Sequence, residues 1–219
     1  CCRCPTSPLC RQPDPPDAVP RYKLTVEYDG GPFVGWQRQP NGPTIQATLE
    51  DAIFAMSGER VGVQGAGRTD SGVHALGQVA HFDLTSEMPA DKVQAALNFH
   101  LKPNPIALPA VEIVPADFHA RFSATWRRYR YRILNRRAPP TLDRGHVWHV
   151  PARLDLQAMA EAAGVLQGHH DFNSFRSTAC QAPSSIRTLD LFRVRRDGAE
   201  IQIDVGARSF LHNQVRVLV

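Results

Sequence analysis

Two rounds of strand-patterned and helix-patterned segments run through this chain, and that repetition limits it to a mixed architecture of sheets and helices. In the first round, residues 22–29 alternate Tyr22, Leu24, Val26 and Tyr28 against Lys23, Thr25, Glu27 and Asp29, the period of a half-buried strand. Gly30-Gly31-Pro32 turns the chain. Thr44 stands where it can cap a helix whose apolar face runs through Ile45, Leu49, Ala52, Ile53 and Met56, and Gly58 stops it. Strands are expected near residues 60–65 and 77–84. Pro89 then opens a helix carrying Val93, Ala96, Leu97 and His100. A stretch with prolines at 103, 105, 109 and 115 leads to a strand through residues 111–114. The second round gives a strand at 125–134, a helix at 154–166 ended by Gly168, and strands at 189–196 and 200–205. Asp197-Gly198 between the last two is a strong hairpin signal. Strands and helices mixed in this way, with hairpins present, argue an α+β sheet protein. No short internal sequence repeat is visible.

Composition narrows the class further. The 219 residues are 42% apolar and 21% charged, ordinary for a globular protein and long enough to bury a real core. Collagen-like and wholly disordered chains are excluded. No apolar run approaches the roughly 18 residues that a membrane helix needs. The first residues lack the basic-then-apolar layout of a signal peptide, so the expected location is cytoplasmic.

The formal net charge of +4 hides two asymmetries. Of the 25 basic residues, 22 are Arg and only Lys23, Lys92 and Lys102 are Lys. The planar arginine fork suits phosphates and stacks on bases, as RNA binding requires; a GC-rich coding sequence produces the same excess. The second asymmetry is positional. From Arg121 to Arg137 there are seven arginines and no acid, so this stretch carries +7 and the remainder sums to −3.

Residues 1–20 hold four of the five cysteines (Cys1, Cys2, Cys4 and Cys10) and six of the 18 prolines. The cysteine spacing fits no familiar zinc site and no histidine is near. The segment therefore reads as a disordered tail or a mis-called start. Cys180 reads as an ordinary reduced thiol. At the other end, SFLHNQVRVLV (residues 209–219) has near-helical apolar spacing and stops without a cap, so a truncated chain is expected.

The sharpest chemical segment is GAGRTDSGVHA, residues 65–75. Three glycines in eight residues between two expected strands describe a tight loop whose backbone comes close to something. Neither the phosphate-binding P-loop nor the dinucleotide fingerprint fits its spacing. It presents one acid, Asp70, two residues from one base, Arg68. A carboxylate beside a guanidinium stays ionised and can serve as nucleophile or base; equally, Asp70 can form an Asx-turn and pair with Arg68. The second segment is RRYRYRIL, residues 127–134. Strand alternation puts Arg128, Arg130 and Arg132 on one face, with Arg127, Tyr129, Tyr131 and Ile133 on the other. Charge on one face and rings on the other suit phosphates and an extruded base, and the lack of acids favours nucleic acid over a solvated edge strand. His146, His149, His169 and His170 lack the spacing of a zinc helix and have no acidic cluster, so no metal is expected.

Five blocks carry a resemblance: YDGGPFVGWQRQP (28–40), GAGRTDSGVHALGQVAHF (65–82), DFHARFSATWRRYRY (117–131), DFNSFR (171–176) and FLHNQVR (210–216). In this order they resemble the tRNA pseudouridine synthase A family, from about residue 21 to the end. Ser71 stands where alanine is also common, and family members continue for several tens of residues past Val219. The resemblance implies a pseudouridine synthase fold, two similar α+β halves sharing a bent antiparallel sheet with a central active cleft. The halves are expected at residues 21–115, carrying the aspartate loop, and 116–219. It implies an isomerase converting uridine to pseudouridine at positions 38, 39 and 40 of the tRNA anticodon stem-loop, working as a homodimer on its tRNA partner. Asp70 aligns with the catalytic aspartate, Tyr129 with the tyrosine that packs on the target base, and Arg216 with the basic residue that pairs with the carboxylate.

The reaction breaks the N1–C1′ bond, turns the uracil and forms C5–C1′. Nothing is oxidised and the uracil does not leave the site, so no cofactor is expected. Each available route, attack on ring or sugar or removal of a sugar proton, needs an ionised Asp70, which Arg216 and Arg68 would maintain. A base outside its stack can be held by a ring such as Tyr129. Arg121, Arg127, Arg128 and Arg130 are the candidate RNA contacts. A non-catalytic RNA-binding protein would not need the acid of Asp70, and a metal-dependent nuclease would need a second carboxylate that this motif lacks.

Overall fold

The computed structural model describes residues 19–177, 180 and 182–219. The four N-terminal cysteines, and nearly all of the expected tail, lie outside the described residues. The chain divides into two units, with the break between Phe122 and Ser123.

The first unit runs β1 (Arg21–Tyr28), α1 (Ile45–Ser57), β2 (Gln64–Gly65), β3 (Ala75–Asp83), α2 (Ala90–His100) and β4 (Ile106–Val114). Its antiparallel sheet has the order β2-β3-β1-β4. β1 is central because its alternation is the cleanest. Tyr22, Leu24, Val26 and Tyr28 are all buried, packed with Ile45, Leu49 and Ile53 of α1 and Val93 and Leu97 of α2. α1 starts where expected: the Thr44 hydroxyl accepts the Ala47 N–H at 3.2 Å. It ends at Gly58, whose φ of +75° lets its N–H reach the Phe54 carbonyl.

Two elements of this unit differ from the sequence reading. The strand expected near 60–65 shrinks to Gln64–Gly65 because α1 takes the backbone of Val63. The Glu50 carboxylate accepts the Val63 N–H at 3.1 Å, and the Gln46 amide donates to the Val63 carbonyl at 3.2 Å. β4, in contrast, begins at Ile106 and runs through Pro109. A proline is tolerated there because β4 is an edge strand. Side chains of α2 cover that edge: Asn98 accepts the Leu108 N–H, and the Gln94 amide donates to the carbonyls of Leu108 and Pro109.

The second unit holds β5 (Arg127–Leu134), β6 (Trp148–His149), α3 (Leu156–Leu166), β7 (Gly168–Asp171), a 3-10 turn (Asn173–Phe175), β8 (Ile186–Asp197), β9 (Glu200–Ala207) and α4 (Gln214–Leu218). Its sheet order is β6-β5-β9-β8-β7, antiparallel apart from the short β5–β6 pair. Ile133, Phe172, Leu189, Phe192, Ile201, Ile203 and Val205 form its core with Ala163 of α3. The β8–β9 hairpin closes over two residues, with Asp197 opposite Glu200 and Gly198 at φ +57°. β6 and β7 were not legible, being two and four residues long and built of Trp, His, Gly and Asp. Both units together give the α+β class with antiparallel sheets. Among the described residues no helix is long and apolar enough to cross a membrane.

Candidate active site

The loop joining β2 to β3 carries Arg68 and Asp70, and it is fixed by the segment that follows β1. The Trp36 N–H donates to the Thr69 carbonyl at 3.0 Å, and the Gly72 N–H and Ser71 hydroxyl both reach the Phe33 carbonyl. Tyr28 Oη lies 2.7 Å from Thr69 Oγ1, and the Gln78 amide donates to the Gly67 carbonyl at 2.7 Å. Three glycines allow this approach. A Cβ on Gly30 would stand 2.1 Å from the Val73 oxygen, one on Gly35 2.9 Å from the Thr69 oxygen, and one on Gly65 2.6 Å from the Trp36 ring. Sequence reasoning expected a close approach at this loop; its partner proves to be the chain's own 30–36 segment.

Asp70 opens a tight turn in which the Val73 N–H returns to the Asp70 carbonyl at 3.2 Å, and Gly72 takes a φ of +72°. Its side chain is half-buried, whereas Arg68 is exposed and makes no ion pair or hydrogen bond among the described residues. Asp29 Oδ1 accepts the Gly31 N–H at 2.8 Å and lies 2.9 Å from His74 Nδ1. Arg121, also in this unit, is exposed on the segment after β4, its N–H on His119 Nδ1.

In the second unit, β5 alternates as its sequence indicates. Tyr129 is opposite Val205 and Tyr131 opposite Ile203, on the face that holds the core. The Tyr129 ring meets Phe210 edge-on, with centroids 5.1 Å apart. Arg127 shares this parity, and its guanidinium donates to the Arg208 carbonyl. Arg128, Arg130 and Arg132 take the other face. Arg128 and Arg130 both reach Asp204 of β9, at 3.1 and 2.9 Å, and Arg132 reaches Glu200 at 2.7 Å and Asp143 at 3.3 Å. Arg128, Arg130 and Arg132 of the acid-free stretch therefore find counter-charges on β9 and in the turn that carries Asp143, and the β9 acids lie too far along the chain for a local count to reveal. Asp204 has only 3% of its side chain exposed. Burial alone would raise its carboxyl, but hydrogen bonds from Arg130 and Arg128 prevail and hold it below the usual carboxylate range. Arg216 lies exposed on α4. Of the histidines, His169 bonds to the Thr188 hydroxyl, His170 to the Gln167 carbonyl and His149 to the Arg136 carbonyl.

Trp126 was overlooked in the sequence, although it directly precedes the arginine run. A Cβ on Gly206 would lie 2.3 Å from its ring, so Trp126 occupies the space that the missing side chain leaves on β9. The signal was a glycine inside a strand patterned by Ile201, Ile203 and Val205.

The comparisons with known proteins match these segments. The family profile described as tRNA pseudouridine synthase covers residues 24–123 and 162–219, both the aspartate loop and the β8–β9 hairpin through α4. This places the chain, as a class, among the pseudouridine synthases. Relatives include the tRNA pseudouridine synthase A of Rhodospirillum centenum, 61% identical over 199 residues, 91% of this chain and 81% of the relative. That of Maricaulis maris is 56% identical over 201 residues, 92% and 81% of the two chains. That of Rhodopseudomonas palustris is 59% identical over 201 residues, with the same coverage. The chain belongs to the tRNA pseudouridine synthase family.

Proposed function

We propose that this protein isomerises uridine to pseudouridine in tRNA, at positions 38, 39 and 40 of the anticodon stem-loop, with Asp70 as the catalytic carboxylate. The observation that carries this reading is the loop itself. Backbone bonds to Phe33 and Trp36, and glycines that leave no room for slack, hold one half-buried acid in a fixed place, as a reacting group requires. Tyr129 packs on the target base, Arg68 contacts the substrate, and Arg216 is the basic residue that complements the carboxylate. Arg121, Arg127, Arg128 and Arg130 contribute to RNA binding. Residues 21–115 and 116–219 act as the two functional halves of a homodimer's subunit in the cytoplasm.

The carboxylate either adds to the ring or sugar or removes a sugar proton. In each case the N1–C1′ bond opens, uracil turns while held, and C5 bonds to C1′ as its proton leaves. Asp70→Asn abolishes this while leaving tRNA binding within about twofold of the parent. The assay is release of tritium from C5-labelled tRNA. Full release by the variant overturns the assignment.

A further inference from the structure

The proposed RNA contacts Arg128 and Arg130 have two neighbours on the same face, Trp126 and Arg193, to which the family reading gives no task. On the face of the sheet opposite its core, the register sets three cross-strand rows side by side. Arg128, Gly206 and Leu191 form one, Arg130, Asp204 and Arg193 the next, and Arg132, Gln202 and Arg195 the third. The Trp126 ring lies on Gly206 in the first row and is 46% exposed. The rows are not equivalent in charge. Glu200, Asp197 and Asp143 gather at the hairpin end, where Arg132 is doubly paired and Arg195 bonds to Gln202. Toward the Trp126 end the buried Asp204 pairs with Arg128 and Arg130 and lies opposite Arg193, and the exposed Asp190 sits in the bulge beside Leu191. The Arg193 side chain is exposed and makes no hydrogen bond or ion pair among the described residues.

We propose that Trp126, Arg128, Arg130 and Arg193 form a docking surface for an unpaired nucleotide of the tRNA substrate, the indole stacking on its base and the arginines holding the flanking phosphates. Strands about 4.8 Å apart bring guanidinium groups within reach of consecutive phosphates, and a flat exposed ring accepts any base on its π-face. Asp204 fixes two of the three guanidinium groups in place from beneath and leaves their outer edges to solvent. A duplex would engage the charges but have no use for the ring, so the patch fits a loop or single strand. The surface lies on the sheet face opposite Tyr129 and is a contact additional to the proposed catalytic residues. It rests on tRNA being the substrate.

The test measures tRNA affinity at several salt concentrations for the parent chain, Trp126→Leu, Arg193→Gln and, as a charge control, Arg60→Gln, which alters an exposed arginine of the first unit. Loss of one phosphate contact in Arg193→Gln reduces the slope of log K against log salt by about 0.7 to 0.9, and Arg60→Gln leaves it within error. Trp126→Leu weakens binding roughly tenfold with the slope unchanged, since stacking is uncharged. Arg193 is exposed, so its variant remains informative even where Trp126→Leu disturbs the sheet. A parental slope in Arg193→Gln, or equal losses in Arg193→Gln and Arg60→Gln, overturns the proposal. So does parental affinity in a folded Trp126→Leu. Pseudouridine formation by the parent is scored separately: its absence refutes the enzymatic reading, whereas its presence with unaltered variants refutes only this surface.

Discussion

Gly30 and Val73 stand so close that no side chain fits between them, since an atom at the Cβ position of residue 30 would lie 2.1 Å from the Val73 carbonyl oxygen. Both contacts are backbone, so neither can rotate aside. Gly30→Ala must push the 30–36 segment off the Asp70 loop, at a stability cost of about 1–3 kcal/mol. Because the displaced groups hold the loop, turnover falls by more than stability does, by about tenfold or more under conditions where the variant is fully folded. Urea unfolding and tritium release on the same preparation separate the two effects.

Glu50 supports the same region from below. Its carboxylate accepts from Arg38 at 2.7 Å, from Gln46 at 3.0 Å and from the Val63 N–H at 3.1 Å, with 13% of the side chain exposed. Glu50→Ala leaves the Val63 N–H without its acceptor and costs about 1–3 kcal/mol. Hydrogen exchange at Val63 quickens relative to the β1 amides, which checks that the loss is local.

Acid stability follows from Asp204. Hydrogen bonds from Arg130 and Arg128 hold its folded carboxyl below the ordinary 3.8, against the opposing effect of burial. The unfolded chain therefore binds this proton more readily than the folded one. The stabilisation is complete above about pH 5 and disappears as pH falls through 4 toward the lower folded value. Glu200, lowered by its Arg132 hydrogen bond, acts in the same direction. Asp204→Asn flattens the acid limb of a stability-against-pH curve between about pH 5 and 3, and equal slopes for parent and variant exclude the assignment.

Much of this architecture is written in local pattern. β1 and β5 alternate cleanly, Thr44 and Gly58 bracket α1, and Asp197-Gly198 closes the hairpin, because each depends on neighbours within a few residues. The 60–65 segment misled because its backbone partners are side chains of α1, ten or more residues away. The site was legible in part for the same reason. The glycine spacing announced a pinned loop around Asp70, but not that Phe33 and Trp36 pin it. The seven arginines looked uncompensated because Asp204 and Glu200 come from a strand about seventy residues later. Pairing across strands is set by register, which no window along the sequence contains.

Trp126 and Gly206 supply a last check on that register. The indole fits only because residue 206 has no Cβ; one placed there would lie 2.3 Å from the ring and 3.2 Å from Leu191 Cβ. Gly206→Ala therefore expels the ring rather than shifting the strand, because β9 is hydrogen-bonded on both sides. The cost is about 1–2 kcal/mol, the lower part of the overpacking range, since a half-exposed ring can move outward. Trp36 is buried and Trp148 half-exposed, so the change in emission upon substitution reports Trp126 above a constant background. The expected readings are a red-shifted maximum and stronger iodide quenching in Gly206→Ala. The same substitution in a Trp126→Leu background leaves both unchanged and costs less than 0.5 kcal/mol relative to that background, roughly the noise of an additive pair. An undiminished cost in that background means that the clash at residue 206 is with Leu191 instead.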